Sequence, residues 1–418
     1  MQGNVVTGTR LMRLASPVSF TPSRVTFRAV KPIETWQLIN TLILGKGRYL
    51  VLLQNTDEIR ATGGFIGSYT VLDFGSQTPL QLEIHDMYNP SGVSMTLPSP
   101  AGQNEYLSEG KGMKLIDANW HPDFPTSART ILQYFENIKN DPQRYDGVIA
   151  VTLPTIEELV ATLGGIYLAD QQQTVTADTL AEVMRADRGE FFSGSKDKEQ
   201  SLQSFYTALK LRLAELSLAE WRLIFRALKD NLALEMQLYS QDKRVQEDIG
   251  RAGFVGGLKA YDSDEIYLFP VESNVGINKA NRKIGRELIA QVEDKQLTVT
   301  TQFNNAYTEA ERPALPENPA YDTAPHLAYV NYYRLLVRPD MMLETIKIDD
   351  QPLSEWDDEL ITSAAGLEYR QIGFLVVVPE ENKILVQAQF ALPELKRPKL
   401  VIQRQVGLKY QAITESIE

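Results

Sequence analysis

The chain has no cysteine, which removes disulfides, thiolate metal sites and cysteine nucleophiles in one step. Histidine is scarce: His85, His121 and His326 are the whole set. No GxSxG elbow accompanies them, so a Ser-His-Asp hydrolase is poorly supported. No stretch approaches the ~20 apolar residues of a membrane span, and Met1 to Ser19 lacks a continuous signal-peptide core. The chain is therefore expected to be either cytoplasmic or a mature or engineered fragment of an anchored protein. Basic charge is short too, with 42 Lys and Arg against 54 Asp and Glu for a net charge of −12. That is the wrong sign for neutralising a polyphosphate backbone, so no nucleic-acid partner is expected.

What is present is a globular composition. With 418 residues, 43% of them hydrophobic and 23% charged, the chain is long enough for two or three domains with their own cores. Its charge is uneven. Residues 1–60 hold eight Arg or Lys against Glu34, Asp57 and Glu58, a local excess of five positive charges that leaves −17 for the rest. Such an arm is either solvated or lies near anionic lipid headgroups.

Periodicity changes near residue 275. Before it, strand-like YLVLL (49–53), SYTVLDF (68–74), LQLEIHDMY (80–88) and GVIAVT (147–152) alternate with helical stretches at 127–138, after Pro154, and from about 198 to 230. This is an α/β pattern. In the last helical stretch Leu202, Phe205, Leu209, Leu213 and Leu216 recur at spacings of three and four, a core-facing stripe. After 275, strand follows strand. Segments 286–303 and 373–390 both read as hairpins, turning at 293–295 and 379–382, with strands YYRLLVR, LETIKI and VIQRQV besides and a Pro-rich loop at 311–325. The expected architecture is a basic or membrane-proximal segment over 1–48, an α/β domain over 49–275 and an antiparallel β-sandwich over 276–418.

Two polar signatures carry the candidate chemistry. In RATGGFIGSY (60–69), Arg60, Thr62, Gly63, Gly64 and Gly67 follow a strand, where a guanidinium and backbone N–H groups can meet a phosphate. The glycines match neither the P-loop nor GxGxxG, and the alternative is a set of tight-turn glycines between strands. In DANWHPDFP (117–125), Asp117, Asn119, His121 and Asp123 alternate, but Pro122 and Ala128 occupy the positions where a calcium loop needs Gly and Glu. A magnesium site on one or two carboxylates remains open. So does the other reading, in which Asp123 caps a helix beginning near Pro125 and Trp120 fills a core gap. His85 and Asp86 end a strand, the usual place for site residues in open α/β sheets. Arg185, Arg188 and Lys196 to Lys198 form either a basic rim around an anion or a solvated helix end.

Taken in order, YLVLLQNTDEIRATGGFIGSY, DANWHPDFPTSA, YDGVIAV and NKANR (278–282) closely resemble the bacterial family called domain of unknown function 4012, over roughly 49–282. The resemblance implies a membrane-anchored envelope protein and brings no established activity. More distantly, YDGVIAVTLPTIEELVATLGGIYL is similar to a strand–helix–turn of the LytR-CpsA-Psr phosphotransferases, through Val148 to Val151, Leu159, Leu163, Gly164 and Gly165. That family moves glycopolymers from a polyprenyl pyrophosphate carrier with arginines, acids and a divalent metal. Its strand-end motif falls on Ile84, His85 and Asp86, with His85 in place of arginine. Its later Arg-rich motif falls on Arg185 and Arg188, followed by Glu199 and Gln200 where the family has Arg and Gln. Its early Arg-Ser-Asp overlaps 60–64 without the aspartate. Missing guanidinium partners weaken a pyrophosphate site, since bidentate bonds supply much of its stabilisation.

The expectation is thus an extracytoplasmic cell-envelope protein with a LytR-CpsA-Psr-like mixed-sheet α/β domain followed by the sandwich, binding a phosphorylated lipid or glycan ligand at the membrane surface, to which a tether absent from this chain would hold it. If it is a phosphotransferase, Asp86 and Asp117 are the catalytic and metal residues, with Mg2+. Arg60, Thr62, Gly63, Gly64, His85, Asn119, Arg185 and Arg188 then bind the ligand. The alternatives are a non-catalytic surface or scaffold protein that uses the sandwich for partner binding, and a hydrolase of phosphate esters with a metal site near Asp86 and Asp117.

Overall fold

The fold comes from a computed structural model that describes residues 31–76, 80–87, 96–138, 144–180, 195–311 and 327–417. Arg185, Arg188, His326 and most of the Pro-rich stretch lie outside the described residues.

The chain enters through α1 (Pro32–Gly45), opened by proline in its first turn and closed by Lys46 in the left-handed conformation. Then come β1 (Arg48–Asn55), β2 (Phe65–Asp73) and β3 (Leu80–Asp86), α2 (Phe124–Glu136), β4 (Gly147–Thr152) and α3 (Leu153–Thr162). The small ribbon β5 (Ile166–Leu168) and β6 (Gln173–Val175) precedes α4 (Ser195–Ala214), α5 (Leu218–Glu235), β7 (Met236–Ser240) and α6 (Lys243–Ala252). One mixed sheet of order β3-β2-β1-β4-β7 organises this half, with β1 and β4 parallel and the other pairings antiparallel.

Strand β1 is apolar on both sides because both faces of the sheet are covered. Leu50, Leu52, Val148 and Ala150 pack under α2. Tyr49, Val51 and Ile149 pack under α1 and α6, and Leu53 on the same side meets α3, α4 and the β5–β6 ribbon.

The second half is a sandwich. A five-stranded sheet takes the order β14-β15-β11-β8-β17, from β8 (Glu265–Asn274), β11 (Tyr329–Val337), β14 (Asp357–Thr362), β15 (Glu368–Val378) and β17 (Lys399–Ile402). Facing it is a six-stranded sheet of order β13-β12-β16-β10-β9-β18, from β9 (Ile284–Glu293), β10 (Gln296–Asn305), β12 (Met342–Ile348), β13 (Gln351–Pro352), β16 (Lys383–Ala391) and β18 (Ala412–Ile417). Alternate residues of both sheets, Leu268, Leu335, Ile372 and Val376 against Leu288, Val299, Val386 and Phe390, share one core. The sandwich is not purely antiparallel, since β17 runs parallel to β8 and β18 parallel to β9. It also includes β8, which lies before the change of periodicity at 275.

Three local expectations are corrected. The helix expected from 127 by periodicity starts at Phe124, close to the start near Pro125 that the Asp123 cap implied, because Asp123 accepts from Thr126 N and a proline occupies the first turn. The long helix expected over 198–230 is two helices, broken where Ser217 and Glu220 form a reciprocal capping box. The expected hairpin at 373–390 is an arch: β15 pairs with β11 and β14 in one sheet, whereas β16 pairs with β10 and β12 in the other. Two alternating strands joined by a short turn read alike in either geometry. By contrast, 286–303 is a hairpin, β9 to β10, with Asp294 and Lys295 both at positive φ in its turn.

Candidate functional site

The two polar signatures meet where the α/β half abuts the sandwich. Just beyond β1, residues 56–64 form an irregular loop whose bonds all turn inward. Arg60 is only 2% exposed. Its guanidinium bonds the carbonyls of Ile59 and Asn274, lies 2.7 Å from Glu58 Oε1 and is 3.9 Å from Asp117 Oδ1. On the backbone side, Gln405 Nε2 donates to the Arg60 and Glu272 carbonyls, each at 2.9 Å. Burial raises the pKa of Asp117, and Arg60 pulls part of that rise back.

Thr62 sits beside this cluster. Its hydroxyl accepts from Gln54 Nε2 at 3.0 Å and Asn119 Nδ2 at 3.1 Å, and its carbonyl from Gln237 Nε2 at 2.6 Å. Asn119 also donates to the Gly64 carbonyl at 2.8 Å. The glycines are there for closeness of backbone. A Cβ on Gly64 would stand 2.5 Å from the Asn55 carbonyl oxygen. Gly63, at φ +125°, would place one 2.8 Å from Gln54 Oε1.

The second signature locks the same seam. Asp123 is buried and takes four donors: Thr126 N and Oγ1 from α2, Leu258 N at 2.9 Å, and Ala364 N at 2.9 Å from the sandwich. Trp120 stacks on Tyr332 with ring centroids 5.4 Å apart, while Arg334 lies over the indole and bonds the Trp120 carbonyl at 3.0 Å. His121 Nδ1 accepts from Asp123 N, and burial pushes this imidazole down to about 4. Asp123 as a cap and Trp120 as a core filler is the arrangement found.

Of the residues singled out from sequence, then, Arg60, Thr62, Gly63, Gly64, Asp117 and Asn119 come together in one buried knot. His85 lies on β3 opposite Tyr69, stacked on its ring at 5.0 Å, and Asp86 ends β3 in register with Ser68. Arg185 and Arg188 fall outside the described residues. Asp117 already faces a guanidinium, which opposes a second cation, and among the described residues no three His, Asp or Glu gather as ligands.

Space for a ligand lies elsewhere. Between α4 and the β5–β6 ribbon runs a groove of about 660 Å³, within the ~300–1,000 Å³ of small-molecule sites. One wall is Gly165 to Asp170. The other is a single face of α4: Ser204, Thr207, Ala208, Leu211, Arg212 and Glu215. Ser204 donates to Asp170 Oδ2 at 2.6 Å, and Arg212 lies 3.1 Å from Glu220 Oε1. Tyr167 and Leu211 are 60% and 59% exposed, so the groove offers apolar surface to an incoming group. Sequence reasoning missed this site. It followed Phe205 and Leu209, which are core, and passed over the adjoining face, whose small residues leave the room. The Gly164–Gly165 turn, both residues at positive φ, leads into the ribbon that forms the wall.

No curated protein matches the chain. Similar solved structures include Bacillus subtilis TagU (14% identity, 48% of this chain and 80% of that one, TM-score 0.28). A LytR-Csp2A-Psr enzyme from Actinomyces oris is another (12%, 50% and 75%, TM-score 0.29). A third is a protein described as a transcriptional regulator (EF0465) from Enterococcus faecalis (12%, 55% and 79%, TM-score 0.30). The sequence match is more specific. Residues 45–188, spanning β1, both polar signatures, β4, α3 and the groove's glycine turn, match the family described as "Protein of unknown function (DUF4012)".

Proposed function

We propose that this chain is an extracytoplasmic cell-envelope protein that binds a phosphorylated polyprenyl lipid, seating part of the isoprenoid chain in the groove between α4 and the β5–β6 ribbon. The observation that carries the reading is the groove itself, an open trough with exposed Tyr167 and Leu211 on its walls, whose lining cation Arg212 is shared with Glu220 and stands with the acids Asp170 and Glu215. Apolar surface of this kind suits an isoprenoid better than a bare glycan. The likeness of Val148 to Val151 and Gly164–Gly165 to the LytR-CpsA-Psr strand–helix–turn supports it, because the end of that segment, from Gly165, forms one wall.

The reading is of binding and not of phosphoryl transfer. Arg60 and Asp117, the residues expected to hold phosphate and metal, spend their charge on Glu58, on each other and on the Asn274 carbonyl. With both terminal nitrogens so engaged, only Nε is left without a partner, and one N–H cannot form the bidentate bond that a pyrophosphate calls for. The α/β part from residue 49 would supply the ligand site, and the sandwich, which begins with β8 (Glu265–Asn274), would hold the seam closed.

The test is calorimetry of the purified chain with a short-chain polyprenyl pyrophosphate, with and without magnesium. Saturable binding, insensitive to magnesium and weakened at least about tenfold by Leu211→Asp, is the expected result. Leu211 is exposed, so that variant folds. Absence of binding by the parent protein, or equal binding by Leu211→Asp, overturns the proposal.

A further inference from the structure

Among the described residues, helix α1 (Pro32–Gly45) has a face that packs on nothing. Inward, Leu38 and Leu42 pack on α6 and the sheet. Outward, Ile33, Trp36, Ile43 and Leu44 are 72%, 46%, 50% and 79% exposed. A surface helix ordinarily carries charge on that side, yet in PIETWQLINTLILG the only charged residue is Glu34. The helix has 14 residues, about 21 Å at 1.5 Å per residue, too short for the ~30 Å bilayer core but suited to lying in its plane. Among the described residues no helix is long and apolar enough to cross a membrane.

The surrounding charge indicates what covers this face. Exposed Lys31 and Lys46 bracket α1. Helix α6 lies beside it in the same layer, tied by Thr41 Oγ1 to Asp248 Oδ2 at 2.8 Å, and exposes Lys243, Arg244 and Arg251. The acids nearby are largely engaged: Asp242 caps α6 and Asp248 pairs with Arg251, leaving Glu34 and Glu247. Counted in full, these five cations meet four acids, so in a chain of net charge −12 this layer is locally slightly positive. A second copy of the chain packed on the same face across a two-fold axis would set these cations against themselves.

We infer that the outer face of α1, with the cations of α6, is a seat for an anionic lipid bilayer surface. Trp36 lies at headgroup level and Ile33, Ile43 and Leu44 dip toward the acyl chains. Val51 packs against both the α1–α6 cluster and the α3–α4 cluster, so the seat and the groove share one face of the central sheet. The inference stands without the groove's ligand, since it rests on α1 and α6 alone.

Flotation of the full chain with phosphatidylcholine vesicles containing phosphatidylglycerol, against pure phosphatidylcholine, tests it without any polyprenyl lipid present. Binding to the anionic vesicles only, falling with salt, is expected. Trp36→Gln with Ile43→Gln reduces it at least about tenfold, and Lys243→Glu with Arg244→Glu weakens it, both with unchanged thermal midpoints. The inference is overturned if the parent fails to float with anionic vesicles, if the Trp36/Ile43 variant floats equally well, or if the parent is a dimer that this variant converts to monomer.

Discussion

Replacing Arg60 by alanine separates a structural use of this side chain from a ligand-binding one. In the folded chain the guanidinium neutralises Glu58 at 2.7 Å, approaches Asp117 at 3.9 Å and bonds the Asn274 carbonyl, all at 2% exposure. Arg60→Ala leaves a buried carboxylate without its partner, a change that costs about 3–5 kcal/mol when one member of a buried pair is removed. The loss depends on pH. Burial already raises the folded pKa of Asp117, and Arg60 is the main group lowering it. Without Arg60 that pKa climbs further. A carboxyl whose folded pKa lies above its unfolded value of ~3.9 contributes stability that is complete below that value and lost as pH rises through the folded one. The deficit of the variant is therefore largest at pH 8 and shrinks toward pH 5. Urea unfolding followed by tryptophan fluorescence at the two pH values measures both effects. Arg60→Met combined with Glu58→Leu and Asp117→Asn regains much of the loss, because no buried charge is then stranded. A variant within about 0.5 kcal/mol of the parent at pH 8, but unable to bind polyprenyl pyrophosphate, would refute the reasoning and return Arg60 to a ligand site.

Three further outcomes follow from the same seam. Gly64→Ala, whose Cβ meets the Asn55 carbonyl at 2.5 Å, destabilises by about 1–3 kcal/mol or more, whereas Gly67→Ala, with its nearest atom at 3.6 Å, is close to neutral in the same melting assay. Asp123→Ala removes a helix cap and strands Leu258 N and Ala364 N, which together cost at least about 3 kcal/mol in denaturant unfolding. His121, held down to about 4 against ~6.5 in the unfolded chain, stays neutral when folded, so stability declines as pH falls from ~6.5 toward 4. Unfolding of His121→Asn across that range shows a flatter pH dependence.

The sequence carried the alternation of strands and helices well because burial writes directly into periodicity. β1, with both faces covered, reads as continuous YLVLL, and β9 and β10 alternate strictly because one face of each meets the shared core. Pairing is another matter. Nothing in GFLVVVPEENKILVQAQF distinguishes a hairpin from an arch, since both strands alternate either way and only the partner sheets differ. The polar signatures were legible as a cluster: Arg60, Thr62, Asp117 and Asn119 do meet. What was not legible is which way they face. A guanidinium between two carboxylates inside a seam and one turned toward a phosphate use the same residue types, and only the position of Asn274, 214 residues along the chain from Arg60, decides between them. The groove left a fainter trace, because Ser204, Thr207 and Ala208 mark an absence of bulk and not a charged motif.

The seam also fixes an order of events during synthesis. Gln405, which takes the Arg60 carbonyl, stands 345 residues after it, and Gly407 lies so close to Gly63 that a Cβ there would come within 2.3 Å of its carbonyl. β17, which carries the chain toward both, adds in parallel to β8 from more than a hundred residues away. A chain emerging from its N-terminus therefore holds Gln54, Asn119 and Gln237, the side chains that bond the 62–64 backbone and hydroxyl, once the central sheet is complete, and still lacks Gln405 and Gly407. Arg60, Glu58 and Asp117 can pair early, whereas the Arg60 carbonyl waits for Gln405. The closing contacts are among the most distant in the chain, which makes its last strands a clasp that shuts over its first.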